Sequence, residues 1–459
     1  MEQNSRPTVG ERRARLIALL VFVSVIISLA VVGVTYALRS EERVCLSKEE
    51  ILSRIETVNS ASDYDFVAEY IEDYGIVGFD TRKLRMCEIS FLQYTIYEMK
   101  STEQLATECA ELFVELMYDK VDLADKVAFT DAVISCFIGA TGDRYAVYRN
   151  AKQYENYNTD MSGSFVGIGV QVRQDTALGT LTVLDVYEGS GAEEAGIKVG
   201  DLITAVDGQL LADIGYDALV SAIRGEEGTT VTVTVDRGGV ILDLIATRRK
   251  VVEKTVRYSI DEGKIAYIKI TGFKDNTAEM FADTIDRAEA EGARGIVFDL
   301  RDNPGGYLHS VLAMLDYLAP DGERIASYKS FTDVNEQIIL ASDGHAVDLP
   351  MVVLMNGGTA SAGELFSAAL RDWGASGVLD VVTVGERTYA KGVMQSTFGF
   401  GDGSTLTMTI AYYNPPSGVN YDGIGITPDV VLENTGTTDD QLARAYIEIE
   451  QLIQTANAA

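Results

Sequence analysis

The sequence predicts an α/β chain of several domains, and three observations carry that prediction. An uninterrupted apolar stretch, Leu16 to Leu38, follows Arg12, Arg13 and Arg15; its length suits a transmembrane helix, and helical periodicity continues after it. From 159 to 250 short alternating runs are punctuated by glycine, the pattern of a β-rich domain. From 251 to 435 strand-like and helix-like runs alternate as in an α/β core, and 436–459 closes the chain with an amphipathic helix.

The chain has 459 residues, too many for one ordinary core and enough for about three domains. A formal charge of -31 excludes nucleic acid as a partner, because its phosphates would be repelled. The apolar stretch exceeds the ~7–15 residues of a signal-peptide core. An uncleaved anchor is therefore expected, with 1–15 cytoplasmic and the body held outside the cytoplasm by this single pass; the alternative is a cleaved signal ending near Ala37. Cys45, Cys87, Cys109 and Cys136 show no Cys-x-x-Cys spacing, so neither a metal nor any other cofactor is expected, and their pairing stays open.

In the region 39–158, Ser47 with Glu50 forms a capping-box pattern ahead of Ile51, Leu52, Ile55 and Val58. A second helix fits Asp63 to Tyr74, and a third carries the stripe Leu105, Cys109, Leu112, Phe113, Leu116 and Met117. This region is either a packing platform or a dimerisation or gating element. The polar stretch from Thr141 to Asp160 reads as a linker.

The next segment opens on Gly167-Ile168-Gly169-Val170, whose glycines let successive N–H groups converge on a carboxylate beside a strand edge able to pair with an extended peptide. With Leu181 to Val186, Ala192 to Ile197, Val206-Asp207-Gly208 and a helix near Tyr216 to Ile223 it resembles a PDZ domain, which implies free apolar protein C-termini as ligands. Gly191 stands where that family usually has proline.

Within 251–435, a strand at Gly295 to Leu300 runs into Arg301-Asp302-Asn303-Pro304-Gly305-Gly306, a turn whose N–H groups suit an oxyanion. A second strand, Met351 to Met355, leads through small residues to Ser361 and a helical run beginning near Glu364. A serine at such a turn holds its hydroxyl above the sheet edge, with the N–H groups of the new helix, Ala362 first, aimed at the same spot. The hydroxyl needs a base. His309 and His345 are the two histidines, one just past the glycine turn and one in a polar loop. A lysine serves if it is held neutral, which takes a shift of roughly three units from its ordinary value near ~10.4. Lys391, between Ala390 and Gly392 after the apolar run Val381 to Val384, is that lysine, and Gln395 lies four residues on.

Thr359-Ala-Ser361-Ala-Gly-Glu364 and Tyr389-Ala390-Lys391-Gly392-Val-Met-Gln395 resemble the two signature stretches of the carboxyl-terminal processing (tail-specific) serine proteases. The resemblance runs from about Asp143 onward and implies a crotonase/ClpP-like α/β protease core. It makes Ser361 the nucleophile, Lys391 the general base and Gln395 its positioner, gives the oxyanion role to Gly305 or Gly306 with Ala362, and leaves His309 without a part. Glu364 and Asp372, the latter matching an acidic position of the family, are expected to support the site. Ala390 replaces the family's glycine, and a few extra residues sit near Ser376 to Asp380; both read as loop variation. Gly423-Ile-Gly425-Ile-Thr-Pro428-Asp429 is a further family-like stretch, and the final helix, with Leu442, Ala445, Ile449 and Leu452 in a stripe, is expected to meet the N-terminal helices or a second subunit, a possible homodimer.

The function expected is a membrane-anchored endopeptidase that captures protein C-termini and cleaves through an acyl-enzyme. A catalytically silent PDZ scaffold is the alternative, and an acyl-transferring or hydratase enzyme on the crotonase-like architecture is a third.

Overall fold

The computed structural model describes residues 81–458 apart from 98–99, 101, 118–119, 123–124, 176–179, 331–336 and 342–345. The expected membrane anchor, Cys45, the helices at 47–58 and 63–74, and His345 lie outside the described residues. No helix among the described residues is long and apolar enough to cross a membrane.

The chain divides into two compact units, each assembled from separate stretches of sequence. One unit joins Met1–Glu155 with Ala319–His345 and Tyr389–Ile426; the other joins Asn156–Leu318, Ala346–Thr388 and Thr427–Ala459.

The first unit, the lysine-bearing one, sets helices on a sheet. Helices Thr81–Tyr94, Thr102–Leu112 and Lys126–Thr141 are described, the second continuing as a π-helical turn over Phe113–Met117. Asp125 caps the third by accepting from the N–H groups of Val127 and Ala128, and Gly142 ends it at φ 81. Strand Thr405–Asn414 pairs with Val147–Arg149, Val393–Gly399 and Arg324–Ser330, all antiparallel. The core gathers Phe91, Ile134 and Phe137 with Tyr148, Leu406 and Met408. The stretch read as a linker and domain boundary holds the division between the units, after Glu155, but is itself built in: Val147–Arg149 is a strand and Ala151–Met161 a helix. Its anchor is Asp143, a buried carboxylate that accepts from the Thr409 N–H at 2.8 Å and hydroxyl at 2.9 Å. Pairing with a partner 266 residues away leaves no periodic signal in a short polar run. Cys87, Cys109 and Cys136 are free thiols in this core; burial pushes the first two up to about 12 and the third to about 11, which removes them as nucleophiles.

The second unit holds the PDZ-like domain and a six-stranded sheet. The domain's sheet runs Val170–Asp175, Thr180–Val186, Leu202–Val206, Thr230–Arg237 and Val240–Thr247, with helix Leu211–Ile223 broken at Gly215 (φ 78). Its core is aliphatic, centred on Ile168, Leu181, Ile203, Leu219 and Val233. At Gly191 a Cβ would lie 1.8 Å from the Thr247 carbonyl oxygen, so the backbones touch where only glycine fits.

The second sheet has the order Val256–Ile260, Ile265–Ile270, Gly295–Asp299, Met351–Met355, Val381–Gly385 and Val430–Val431; its first pair is antiparallel and the rest parallel. Both faces are covered, which explains the unbroken apolar runs in its central strands. Phe281 and Phe366, from helices Thr277–Ala290 and Ala362–Ser376, pack with Phe298 of the sheet at centroid distances of 5.5–6.0 Å. On the other face Ala445, Ile449 and Ile453 of helix Asp440–Ala456 meet Val297, Val352 and Val384. The stripe of the last helix is thus spent on its own unit's sheet, a correction to the expectation that it meets the N-terminal helices.

Candidate active site

Two turns at the ends of adjacent parallel strands build the serine side. Ser361 precedes helix Ala362–Ser376 with φ 53 and ψ -118, a left-handed conformation that a non-glycine residue holds only when its surroundings enforce it. The enforcement is visible. Glu364, fully buried, accepts from the Ser361 N–H at 2.9 Å and from the Thr388 hydroxyl at 2.5 Å. A Cβ on Gly305 (φ 96) would lie 2.8 Å from the Ser361 Cβ and 2.9 Å from the Ala362 nitrogen, so the glycine turn presses against the serine turn.

Sequence reasoning passed over the side chains that tie these turns together. Asn303, buried, donates to the Ile270 carbonyl at 2.8 Å, accepts from the Gly305 N–H at 2.8 Å, and takes the Ala360 N–H on its own carbonyl at 2.9 Å. Thr359 donates to the Leu300 carbonyl at 2.8 Å, and Asn356 bonds both the N–H and the carboxylate of Asp302. The signal for Asn303 was its place before Pro-Gly-Gly, where an Asx side chain can hold the backbone two residues on.

This wiring separates the donors. The Ser361 N–H is taken by Glu364 and the Gly305 N–H by Asn303, whereas the Gly306 and Ala362 N–H groups have no partner among the described residues. Gly306 sits at φ 148, and a Cβ there would come 2.0 Å from the Phe273 carbonyl oxygen.

Asp299, fully buried at the end of its strand, pairs with Arg301 at 2.7 Å and accepts from the Tyr267 hydroxyl at 2.6 Å. Burial pushes its carboxyl up, but Arg301 and Tyr267 outweigh that and hold it below the usual carboxylate range. Arg301 also reaches Asp439, the N-cap of the last helix, at 2.7 Å.

Asp372 is not brought to Ser361: it lies eleven positions along the same helix, roughly 16 Å away along the axis. Asp429 ties the neighbouring strand down: it accepts from the Thr383 N–H and hydroxyl at 2.9 and 2.7 Å and pairs with Arg371 at 3.4 Å. His309 is 65% exposed, pairs with Asp275 at 3.1 Å and stacks on Tyr307.

Lys391 belongs to the other unit, among partners of its own. Lys391, half-buried, donates to Gln395 Oε1 at 2.8 Å. Gln395 in turn donates to the Tyr145 carbonyl, and the Lys391 ammonium position lies 4.5 Å from the centre of the Tyr145 ring. The loop is held from behind by Asp422 and Asn420, which bond the N–H and carbonyl of Gly392 at 3.1 and 2.9 Å. Ala390 has φ 83, so the replaced glycine is more than loop variation: an L side chain stands where the backbone is left-handed. Ala390→Gly is expected to stabilise the chain by about 0.5–1 kcal/mol, the relieved strain less the added entropy of the unfolded state. A urea midpoint that fails to rise would contradict this.

In the PDZ-like domain, Ile168 and Gly169 turn their carbonyls inward to the N–H groups of Ala192 (2.8 Å) and Tyr187 (3.0 Å). Their own N–H groups have no partner among the described residues, between Gly167 at the end of one strand and Val170 at the start of the next. Val170–Asp175 pairs on one side only, leaving a strand edge.

The model of peptidase family S41 matches residues 264–432 and that of the PDZ domain residues 182–237. A probable CtpA-like serine protease of Staphylococcus aureus (strain bovine RF122 / ET3-1) is 33% identical over 348 residues, 75% of this chain and 68% of the relative. The carboxy-terminal processing protease CtpA of Bacillus subtilis (strain 168) is 32% identical over 322 residues, 70% of this chain and 67% of its own. Among solved structures, a photosystem II D1 C-terminal processing protease aligns over 79% of this chain and 95% of its own at 25% identity, with a TM-score of 0.46.

Proposed function

The chain belongs to peptidase family S41, the carboxy-terminal processing serine proteases, and from that premise we propose that it captures protein C-termini on its PDZ domain and cleaves them by a Ser361–Lys391 mechanism. The observation that supports this most is the Ser361 turn, a serine held at φ 53 with its N–H bound by Glu364 and its Cβ against Gly305. A resting scaffold has no use for that strain.

In this reading the neutral Lys391 amine takes the proton from Ser361 Oγ as the oxygen attacks the scissile carbonyl. The oxyanion settles on the Gly306 and Ala362 N–H groups, since those of Gly305 and Ser361 are already engaged. The lysine ammonium then protonates the leaving amine, and water activated by the same base releases the acyl group. Gln395 keeps the amine pointed, and Glu364 holds the serine turn.

Capture falls to Gly167-Ile168-Gly169-Val170: the free N–H groups of Ile168 and Gly169 receive a terminal carboxylate, and the edge of Val170–Asp175 pairs with the peptide before it. The same reading keeps Leu16 to Leu38 as an anchor that presents the catalytic body outside the cytoplasm, and allows a homodimer.

The test uses the full chain in detergent with a peptide ending in apolar residues and its C-terminally amidated twin. Cleavage of the free acid in preference to the amide is expected, and Ser361→Ala should bind the free acid without turnover. Binding without cleavage by the unmodified chain would favour the scaffold. Gly169→Ala, whose Cβ would meet that of Ser190 at 2.4 Å, is expected to weaken capture roughly tenfold or more. Cleavage of a short substrate that does not engage the domain should persist; an unchanged affinity would rule the loop out as the carboxylate site.

A further inference from the structure

We propose that Tyr145 is a positioning residue for the lysine base, holding the Lys391 amine against its ring and steadying, through its backbone carbonyl, the glutamine that orients that amine. The inference rests on the reading of Lys391 as the base. Tyr145 lies in the polar stretch that reads as a linker, 250 residues from Gln395, and the fold brings it there by a specific route. Asp143 accepts from the Tyr145 N–H at 3.1 Å and clamps Thr409, the residue opposite Gln395 in the strand register. The turn that carries Tyr145 is thus fastened to the strand pair that carries Gln395.

The ring contributes chemistry as well as shape. An ammonium is attracted to the face of an aromatic ring within about 6 Å, and a neutral amine far less. Gln395 Oε1, an acceptor, also favours the charged form. Both contacts therefore hold the side chain in place and stabilise the ammonium that Lys391 becomes on taking the Ser361 proton. Around this ring within the unit the charged and titratable groups are Arg144, whose guanidinium lies 4.7 Å from the ring centre, Asp422, 3.7 Å from Arg144, and Asp143, Tyr97, Tyr389 and Tyr412. Burial pushes the Tyr145 phenol itself above its ordinary value, so it stays neutral while the lysine titrates. All these groups remain when the ring alone is changed.

The experiment is the pH profile of kcat and kcat/KM for peptide cleavage by the full chain and three variants. Tyr145→Leu is expected to move the acid limb to lower pH by about half a unit to one unit, because an ammonium without the ring loses its proton more readily. Its plateau kcat should fall roughly tenfold or more with KM unchanged, since a loosened amine misses the hydroxyl. Tyr145→Phe keeps the ring and should restore both. Tyr145→Trp, with a stronger ring face, should move the limb upward, and with the Phe variant it decides the matter if the Leu variant does not fold. A Leu limb that stays put or rises, or a Phe variant that behaves like Leu, overturns the proposal. Retained turnover in Lys391→Ala overturns the base assignment itself, and the proposal with it.

Discussion

Lys391→Ala is expected to lower kcat by about 10³-fold or more while leaving C-terminal peptide binding intact, and Ser361→Ala to do the same. The two losses should not add, because a nucleophile and its base act as one unit. His309→Ala is the control: exposed and paired with Asp275, it should keep full activity. Steady-state kinetics on the three single variants and the Ser361/Lys391 double variant check this. If the histidine variant lost turnover with its fold intact, the lysine assignment would fall.

Arg301→Met is expected to destabilise the chain by about 2–4 kcal/mol at neutral pH, because it takes from the fully buried Asp299 carboxylate its hydrogen-bonded cation and leaves it only the Lys269 ammonium at 3.7 Å and the Tyr267 hydroxyl. The sign with pH follows from the lowered carboxyl. A group depressed in the folded state contributes stability that is present above its unfolded value, near ~4, and is lost as pH falls through its folded value. In Arg301→Met the strongest group holding Asp299 down is gone while the burial that pushes it up remains, so that contribution shrinks. The gap between the two proteins should be widest near neutrality and narrow as pH falls below about 4, where protonation relieves the stranded charge. Urea unfolding at neutral pH and near pH 4 measures it; a gap that widens in acid would show that Asp299 is not the group concerned. Because Arg301 opens the turn leading to Gly306 and also holds the N-cap of the last helix through Asp439, lost activity should accompany lost stability.

Much of the candidate site was legible because the turns that build it are written locally. Ser361 after a buried strand and before a helix, Lys391 with Gln395 four residues on, and the glycines at 305 and 306 each sit in a short stretch whose turn residues and spacing state the backbone they need. The same holds for Gly167 to Val170. What could not be read locally was which donor is already engaged. Nothing in the order of residues says that Asn303 takes the Gly305 N–H, or that Glu364 takes that of Ser361, which leaves Gly306 and Ala362 as the open pair.

By itself the sequence determined the elements: alternating apolar runs for strands, 3.6-residue stripes for helices, glycine where backbones turn left-handed, and the pairing of reactive residue types that names a serine peptidase. Only the tertiary structure decided how those elements are shared. It grouped 319–345 and 389–426 with the N-terminal region in one unit, laid the last helix on the sheet, and made a polar connecting stretch the seat of Tyr145. The physical reason is range. Periodicity and turn preference act over a few residues and are written in order along the chain, whereas the Asp143–Thr409 and Tyr145–Gln395 contacts span more than two hundred residues and exist only once packing has brought their strands together.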